Sequence, residues 1–300
     1  MNDEQYYQEK IEKINLERIK ILKSRNYTIG KNFTKVLKLL SHGKVFKFFK
    51  LIVRTKKWNE LIFLNPKSNN CSFSSVTREC KIAVYTSVIG NYDKICEEPF
   101  KSKYCDYFII SDIKHESENW SYININDYYQ NDDKTFLNRY AKLNPHVFFS
   151  NYDYSIYIDG NIDVVSDISC FINQISSITG IALHRHSARN CVFQEAKLCK
   201  LLKKGNQNNI SKLILKFKKE KFPKEFGLFE CNVIVTDLKN ERAKEFLERW
   251  WTYFIKYNCG RDQFFPPYIL WKNNLTIDDI GFLGDNAYLN PKLFYRPHND

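Results

Sequence analysis

The chain has 300 residues, 43% hydrophobic and 16% aromatic, which excludes general disorder and allows one large α/β domain with an appendage, or two modest domains. Its nine cysteines include no C-x-x-C pair, so zinc ribbons, thioredoxin-type motifs and a disulfide ladder lack support, and reduced cysteines in a cytosolic setting are expected. The net charge of +12 is lopsided: residues 1–80 carry 17 Lys/Arg against 7 Asp/Glu, whereas residues 81–300 carry 29 against 27.

The chain opens on Met1, Asn2, Asp3 and Glu4, unlike a secretory signal, and no apolar run approaches the roughly 18 residues of a spanning helix. Residues 3–24 read as a polar helix. Residues 31–57 hold nine basic residues and no acidic one. At 100° per residue, Lys44, Lys47, Lys50 and Arg54 fall opposite Val45, Phe48, Phe49 and Ile52. Such a helix either docks its apolar side on the protein body or lies on an anionic membrane, where each basic residue contributes about 1 kcal/mol. Nucleic-acid binding is not expected, because the segment matches no reader motif and the larger domain is almost neutral.

A breaker-rich loop at 65–70 leads to a boundary at Arg78. This divides a basic helical extension, 1–78, from a domain spanning 79–300. In that domain the β-branched and aromatic runs at 81–88, 107–110, 155–158, 180–183 and 231–236 predict strands. Residues 136–143, 192–204 and 242–257 predict helices between and after them. Alternation of this kind indicates an α/β sandwich with a largely parallel sheet.

Polar residues recur where these strands end: Thr86, Gly90 and Asn91, then Ser111 and Asp112, then Asp159, Gly160, Asn161 and Asp163, then His184 and Arg185. Ligands of open α/β sheets collect at the carboxyl ends of strands, so these groups are expected to meet on one rim. Asp159, Asn161 and Asp163 offer hard oxygen ligands for Mn²⁺ or Mg²⁺ beside a phosphate. Asp, Asn and Gly are also the usual turn formers, which gives a competing reading. An EF-hand is excluded, since its sixth and twelfth positions are Val164 and Cys170. Asp112 serves equally as a base or ribose contact or as a helix cap. Arg139 and Lys142 lie one helical turn apart and can face one diphosphate. His186 reads as a surface residue. Trp250 and Trp251 read as core, and Cys191 and Cys231 as small buried hydrophobes.

The run from Val84 to Asp93, the Arg139, Lys142, Pro145, His146 spacing, and the run from Tyr154 to Asn161 together resemble a glycosyltransferase-like family once catalogued only as a domain of unknown function. That family includes plant proteins of pectin and mucilage formation and many bacterial members. His184, Arg185, Arg189, Cys191 and Glu195 fit it, as do the stretch 227–232, Trp250 and Trp251, and the Arg261, Asp262, Gln263 triplet. The resemblance covers residues 81–272. It implies a GT-A-like fold that binds a nucleotide-sugar donor, with Asp159, Gly160 and Asn161 in place of the usual Asp-x-Asp. Asn161 departs from that pattern and is a weaker metal ligand than a carboxylate.

The resemblance also implies roles. Thr86, Gly90, Asn91, Asp112, Arg139, Lys142, Asp159, Gly160, Asn161, His184, Arg185 and Gln263 would bind the nucleotide-sugar. Asp262 and Glu230 compete for the catalytic carboxylate. The expected activity is transfer of a sugar to a cell-surface glycan or lipid-linked precursor, in the cytoplasm at the inner face of the plasma membrane. Two other functions stay open: a glycan or lipid hydrolase on the same scaffold, and a non-catalytic glycan-binding domain. The absence of a Gly-x-Ser-x-Gly elbow and of a His-Glu-x-x-His helix speaks against serine-esterase and zincin chemistry.

Overall fold

The computed structural model describes residues 73–296, residue 77 excepted, together with residues 14, 16 and 17, which are helical. The rest of the expected helix at 3–24 and the whole basic segment 31–57 lie outside the described residues. In chain order the strands are β1 (Ile82–Ser87), β2 (Cys105–Ser111), β3 (Ser121–Asn124), β4 (Tyr154–Ile158), β5 (Ile162–Val164), β6 (Ile181–Arg185), β7 (Phe229–Asp237), β8 (Gly281–Phe282) and β9 (Leu293–Tyr295). The helices are α1 (Lys134–Leu143), α2 (Pro145–Phe148), α3 (Val192–Leu202), α4 (Gln207–Lys219), α5 (Glu241–Tyr257) and α6 (Phe265–Lys272). Among the described residues no helix is long and apolar enough to cross a membrane.

Seven strands form one sheet in the order β3-β2-β1-β4-β7-β6-β8, and β5 pairs with β9 in a second, two-stranded sheet. The first four strands of the large sheet are mutually parallel. β7 runs antiparallel to both β4 and β6, and β8 returns to the parallel direction. The result is the expected GT-A-like class: a mixed, largely parallel sheet flanked by helices.

The central strands are covered on both faces, so their residues alternate between two cores rather than between core and water. Ala83, Tyr85, Tyr157 and Ile234 face the core shared with α1 and with α3 to α6, which also holds Trp250 and Phe254. Ile82, Val84, Ile156, Val233 and Val235 face the other core, with Phe171 and Leu293. α1 and α5 begin on side-chain caps, Asp133 accepting from the Thr135 amide and Asn240 from the Arg242 amide. α6 starts with two prolines in its first turn, where no intrahelical N–H is needed.

This topology places one element where a parallel reading would not. Because β7 runs backwards, its first residues lie at the rim where β4 and β6 end. The Asp159 amide donates to the Asn232 carbonyl at 2.9 Å, and His184 stands opposite Glu230 in the β6–β7 register. The antiparallel strand thus delivers Glu230 to the carboxyl edge of the sheet.

Candidate active site

α1 supplies two cations to the rim. The Lys142 side chain is only 2% exposed, and its Nζ lies 2.9 Å from Asp262 Oδ2 and 3.6 Å from Asp159 Oδ1. Arg139 Nε lies 3.2 Å from the same Asp262 oxygen. The ammonium of Lys142 also sits 4.9 Å from the centre of the Tyr157 ring, while the Tyr157 hydroxyl donates to Asp159 Oδ1 at 2.9 Å. The helical spacing of Arg139 and Lys142 therefore turns both the same way, but what they grip is a pair of carboxylates from distant segments and not the expected diphosphate. Burial alone would raise the Asp262 carboxyl, yet Arg139 and Lys142 outweigh it and hold the group far below the usual range. Asp262 is thus a buried, permanent anion. Asp159, with a third of its side chain exposed, is the member of the cluster that faces outward.

The turn carrying Asp262 is braced from three sides. Asn258 ends α5 in the left-handed region, Trp250 Nε1 donates to the Asp262 carbonyl at 2.9 Å, and Gln263 Nε2 donates to the Phe229 carbonyl at 2.7 Å. Trp250 is fully buried, so its indole is core and brace together. Gln263, expected on the nucleotide-sugar, is a buried tie between the turn and β7.

A second group of charges adjoins the first. Glu195 on α3 receives Arg189 Nε at 2.7 Å and lies 3.7 Å from Arg261 Nη2; Arg261 in turn donates to Gln263 at 3.1 Å. Glu230 lies 3.6 Å from His186 Nδ1. That nitrogen already accepts from the amides of Ala188 and Arg189, at 3.1 and 3.2 Å, so it has no proton to share with Glu230. Burial and the Arg189 charge push the imidazole down to about 3, which keeps it neutral. Glu230 is consequently without a cationic partner on that side. Burial, helped by the charge of Glu195, pushes its carboxyl up to about 7. The two candidate carboxylates thus have opposite properties: Asp262 is pinned as an anion, and Glu230 is poised to exchange a proton near neutrality.

Several expectations need correction. His184 is fully buried, with the Asn290 amide nitrogen 3.1 Å from its Nε2, and burial lowers it to about 3. It is a neutral core histidine, because β6 continues through it instead of ending before it. Thr86 is likewise enclosed within β1 at 1% exposure. His186, read as surface, is 9% exposed and belongs to the Glu230 group. Arg185 does not join Asp159 and Asp262. Its guanidinium lies over the Phe229 and Phe282 rings, at 5.0 and 5.9 Å, and its Nη2 is 3.0 Å from Asp278.

The loop after β1 does meet the β4 turn. Gly90 and Asn91 both adopt left-handed φ angles, and the Gly90 amide donates to Asp112 Oδ1 at 2.7 Å, which makes Asp112 a brace for this loop. Gly160 permits the close approach: a Cβ there would lie 2.9 Å from Val88 Cγ2 and 3.2 Å from Asp93 Cβ.

The three expected metal ligands do not converge. Asp163 Oδ1 receives Arg296 Nε at 2.7 Å, and Asn161 Nδ2 donates to the Arg296 carbonyl at 2.9 Å. Asp159 is turned to Tyr157 and Lys142. Each carboxylate already faces a cation, and among the described residues no three His, Cys, Asp or Glu side chains form a metal-binding group. This donor set does not fit a dedicated divalent centre.

Residues 285–296 complete the rim beyond the stretch that carried the resemblance. The Tyr288 and Tyr295 rings pack with centres 4.6 Å apart. Burial, with the charges of Glu230 and Asp159, raises the Tyr295 phenol, whereas Tyr288 is 45% exposed. Nothing in the spacing of these short, isolated aromatics marked them as site residues.

Solved structures similar to this chain include the bifunctional glycosyltransferase WbbM, at 14% identity over 71% of this chain and 40% of that one, with a TM-score of 0.45. The galactosyltransferase LgtC, solved with donor and acceptor sugar analogues, matches at 10% identity over 62% of this chain and 70% of its own, TM-score 0.38. Mouse xyloside xylosyltransferase 1 matches at 9% identity over 66% and 84%, TM-score 0.39. The chain thus spans less than half of the WbbM chain. No curated protein matches it in sequence. The family model described as TOD1/MUCI70, glycosyltransferase-like domain, matches residues 70–236, from ahead of β1 to the end of β7, and the chain belongs to that family.

Proposed function

We propose that this protein transfers a sugar from a nucleotide-sugar donor to a hydroxyl of a glycan or lipid-linked acceptor, with Glu230 taking the acceptor proton. One observation carries this reading: α1, the end of β4, the start of β7 and the turn after α5 all deliver charged side chains to a single rim, and one of these, Glu230, exchanges protons near pH 7. In the reaction the acceptor oxygen bonds to the anomeric carbon, its proton passes to the Glu230 carboxylate, and the bond from that carbon to the diphosphate oxygen breaks. The electron pair leaves with the nucleoside diphosphate. Asp159, outward-facing, accepts from donor hydroxyls, while Lys142 and Asp262 position it from below. Lys142 is too enclosed to reach the diphosphate itself.

Titration calorimetry of the full chain against uridine, guanosine, adenosine and cytidine diphosphates, with Mn²⁺ and with chelator, tests the donor half of the reading. Saturable binding of one nucleotide is expected, with little dependence on Mn²⁺ because the carboxylates are already paired. Failure of all four in both conditions would sink it.

The basic segment at 31–57 belongs to the same proposal. Its lysines hold the enzyme on an anionic membrane, at the inner face of the plasma membrane, where lipid-linked acceptors lie. Co-sedimentation with phosphatidylglycerol vesicles, but not with phosphatidylcholine vesicles, is the expected result, and removing residues 31–57 should abolish it. Equal binding to both lipids would refute the assignment.

A further inference from the structure

A cavity of about 820 Å³ opens beside the Glu230 group, bounded by β6, the 187–190 loop, the 225–228 turn and residues 277–285. This is the size of ordinary small-ligand sites, roughly 300–1,000 Å³. Neither Asp159 nor Asp262 lines it, so it is separate from the Lys142 cluster. His186 does line it, and through His186 it comes within one side chain of Glu230.

Its walls alternate apolar faces with hydrogen-bonding groups. Phe226, Leu228, Ile277 and Phe282 supply the former; Arg185, Asn190, Asp278 and Asp285 supply the latter. The charges do not favour an anion. Both lining arginines already face carboxylates, Arg185 that of Asp278 and Arg189 that of Glu195, and Glu225, Asp278 and Asp285 place three acidic groups around the opening. A phosphate or uronate would enter against that field. One donor is nevertheless left over: Arg185 Nη1 has no hydrogen-bond partner, and because the atom is closed off from solvent a ligand meets it once the guanidinium turns toward the cavity. A buried donor left unsatisfied is costly, so a ligand oxygen at this point is favoured. The wall beside it is fixed by Gly227, at φ 124°, where a Cβ would fall 1.7 Å from Ile277 Cδ1.

We infer that this cavity holds the acceptor as an uncharged sugar residue, with Arg185 Nη1 donating to a ring or hydroxyl oxygen, the rim carboxylates accepting from hydroxyls, and Phe226 or Phe282 covering an apolar ring face. The inference rests on the transferase reading, for it is the step from cavity to His186 to Glu230 that makes the occupant an acceptor.

Saturation-transfer NMR on the full chain tests it, using the methyl pyranosides of glucose, galactose, mannose and N-acetylglucosamine, with methyl glucuronide and glucose 1-phosphate as charged arms. At least one uncharged glycoside is expected to bind saturably and both charged probes to bind at least tenfold more weakly. Arg185→Leu should weaken the uncharged glycoside at least tenfold and Arg185→Lys by less, both with unchanged nucleoside diphosphate affinity, which also reports that each variant is folded. Tighter binding of glucuronide or glucose 1-phosphate would overturn the uncharged assignment. Nucleotide binding without any glycoside binding, or glycoside binding indifferent to Arg185→Leu, would overturn the cavity assignment and leave the donor reading intact. Glycoside binding sensitive to Arg185 without nucleotide binding would keep the sugar site and sink the transferase; binding of neither would sink both.

Discussion

Glu230→Gln is expected to lower sugar transfer by about 10²–10⁴-fold, the range for loss of a positioned proton acceptor, and at the same time to make the protein more stable above neutral pH. Both effects come from one cause. The Glu230 carboxyl is raised from 4.5 to about 7 by burial and by Glu195. A raised group binds its proton more tightly in the folded than in the unfolded chain. Its favourable contribution is therefore complete below about pH 4.5 and lost as the pH rises through 7. Above that point the folded protein carries a buried, unpaired carboxylate, at a cost on the order of 3 kcal/mol. Glutamine keeps the shape and never ionises. Thermal melts should show the variant more stable than the parent at pH 8.5 and nearly equal to it at pH 4.5. The parent's turnover should rise through pH 7 as the base form appears, and the variant's residual turnover should lack that limb. Full activity in the variant, or an unchanged pH limb, would remove Glu230 from the reaction. A stability difference that does not vary with pH would show that its carboxyl is not raised.

The parts of this molecule that were legible in the sequence are those with local signals. Long apolar runs bounded by breakers mark β1, β2, β4, β6 and β7 close to their observed limits, and the recurrence of polar residues at strand ends points to the rim where Asp159, Lys142 and Asp262 meet. Direction was not legible. The nine residues of β7 are almost all buried, so they read alike whichever way the strand runs, and its antiparallel course is what brings Glu230 into the site. The strands of two to four residues, β3, β5, β8 and β9, are too short to show a period. α4 places Ile210, Leu213 and Phe217 on its buried face at helical spacing, but four lysines and an exposed Leu215 blur the stripe.

Individual site residues failed for a related reason: a polar residue at a strand end has no local mark of what it will face. Asp163 and Arg296 are 133 positions apart, and only the β5–β9 pairing makes them partners, which removes Asp163 from any ligand set with Asp159. His184 looked like a rim residue because the apolar run stops before it. The irregularity between Leu183 and His184 in the β6–β7 register instead keeps it inside, against Asn290. Lys142 shows the opposite outcome. Its helical spacing with Arg139 does bring both side chains to one place, but that place is the Asp262 carboxylate, 123 and 120 residues away, and not the expected diphosphate.

That convergence sets the second large effect. Asp262→Asn should destabilise the fold by about 3–5 kcal/mol, the usual consequence of removing one member of a buried ion pair. Two cations share the Asp262 carboxylate, and the Lys142 side chain is only 2% exposed, so neither water nor salt can replace the lost charge there. Asp159 is the remaining anion, 3.6 Å from Lys142 Nζ, and Lys142 would be drawn toward it, away from the position that holds Asp159 outward. Activity should therefore fall further than stability alone explains. The pair is not a pH sensor in the working range. Because Arg139 and Lys142 hold Asp262 below its ordinary 3.8, its contribution is fully present above about pH 3.8 and declines only as the pH falls toward the lowered value. The deficit of Asp262→Asn in chemical denaturation should accordingly stay constant from pH 8 to 5. Combining it with Lys142→Met, which removes one stranded cation, should cost clearly less than the sum of the two single losses. A double variant as unstable as that sum would mean that Lys142 and Asp262 do not act as a pair, and the rim would lose the contact that ties α1 to the turn after α5.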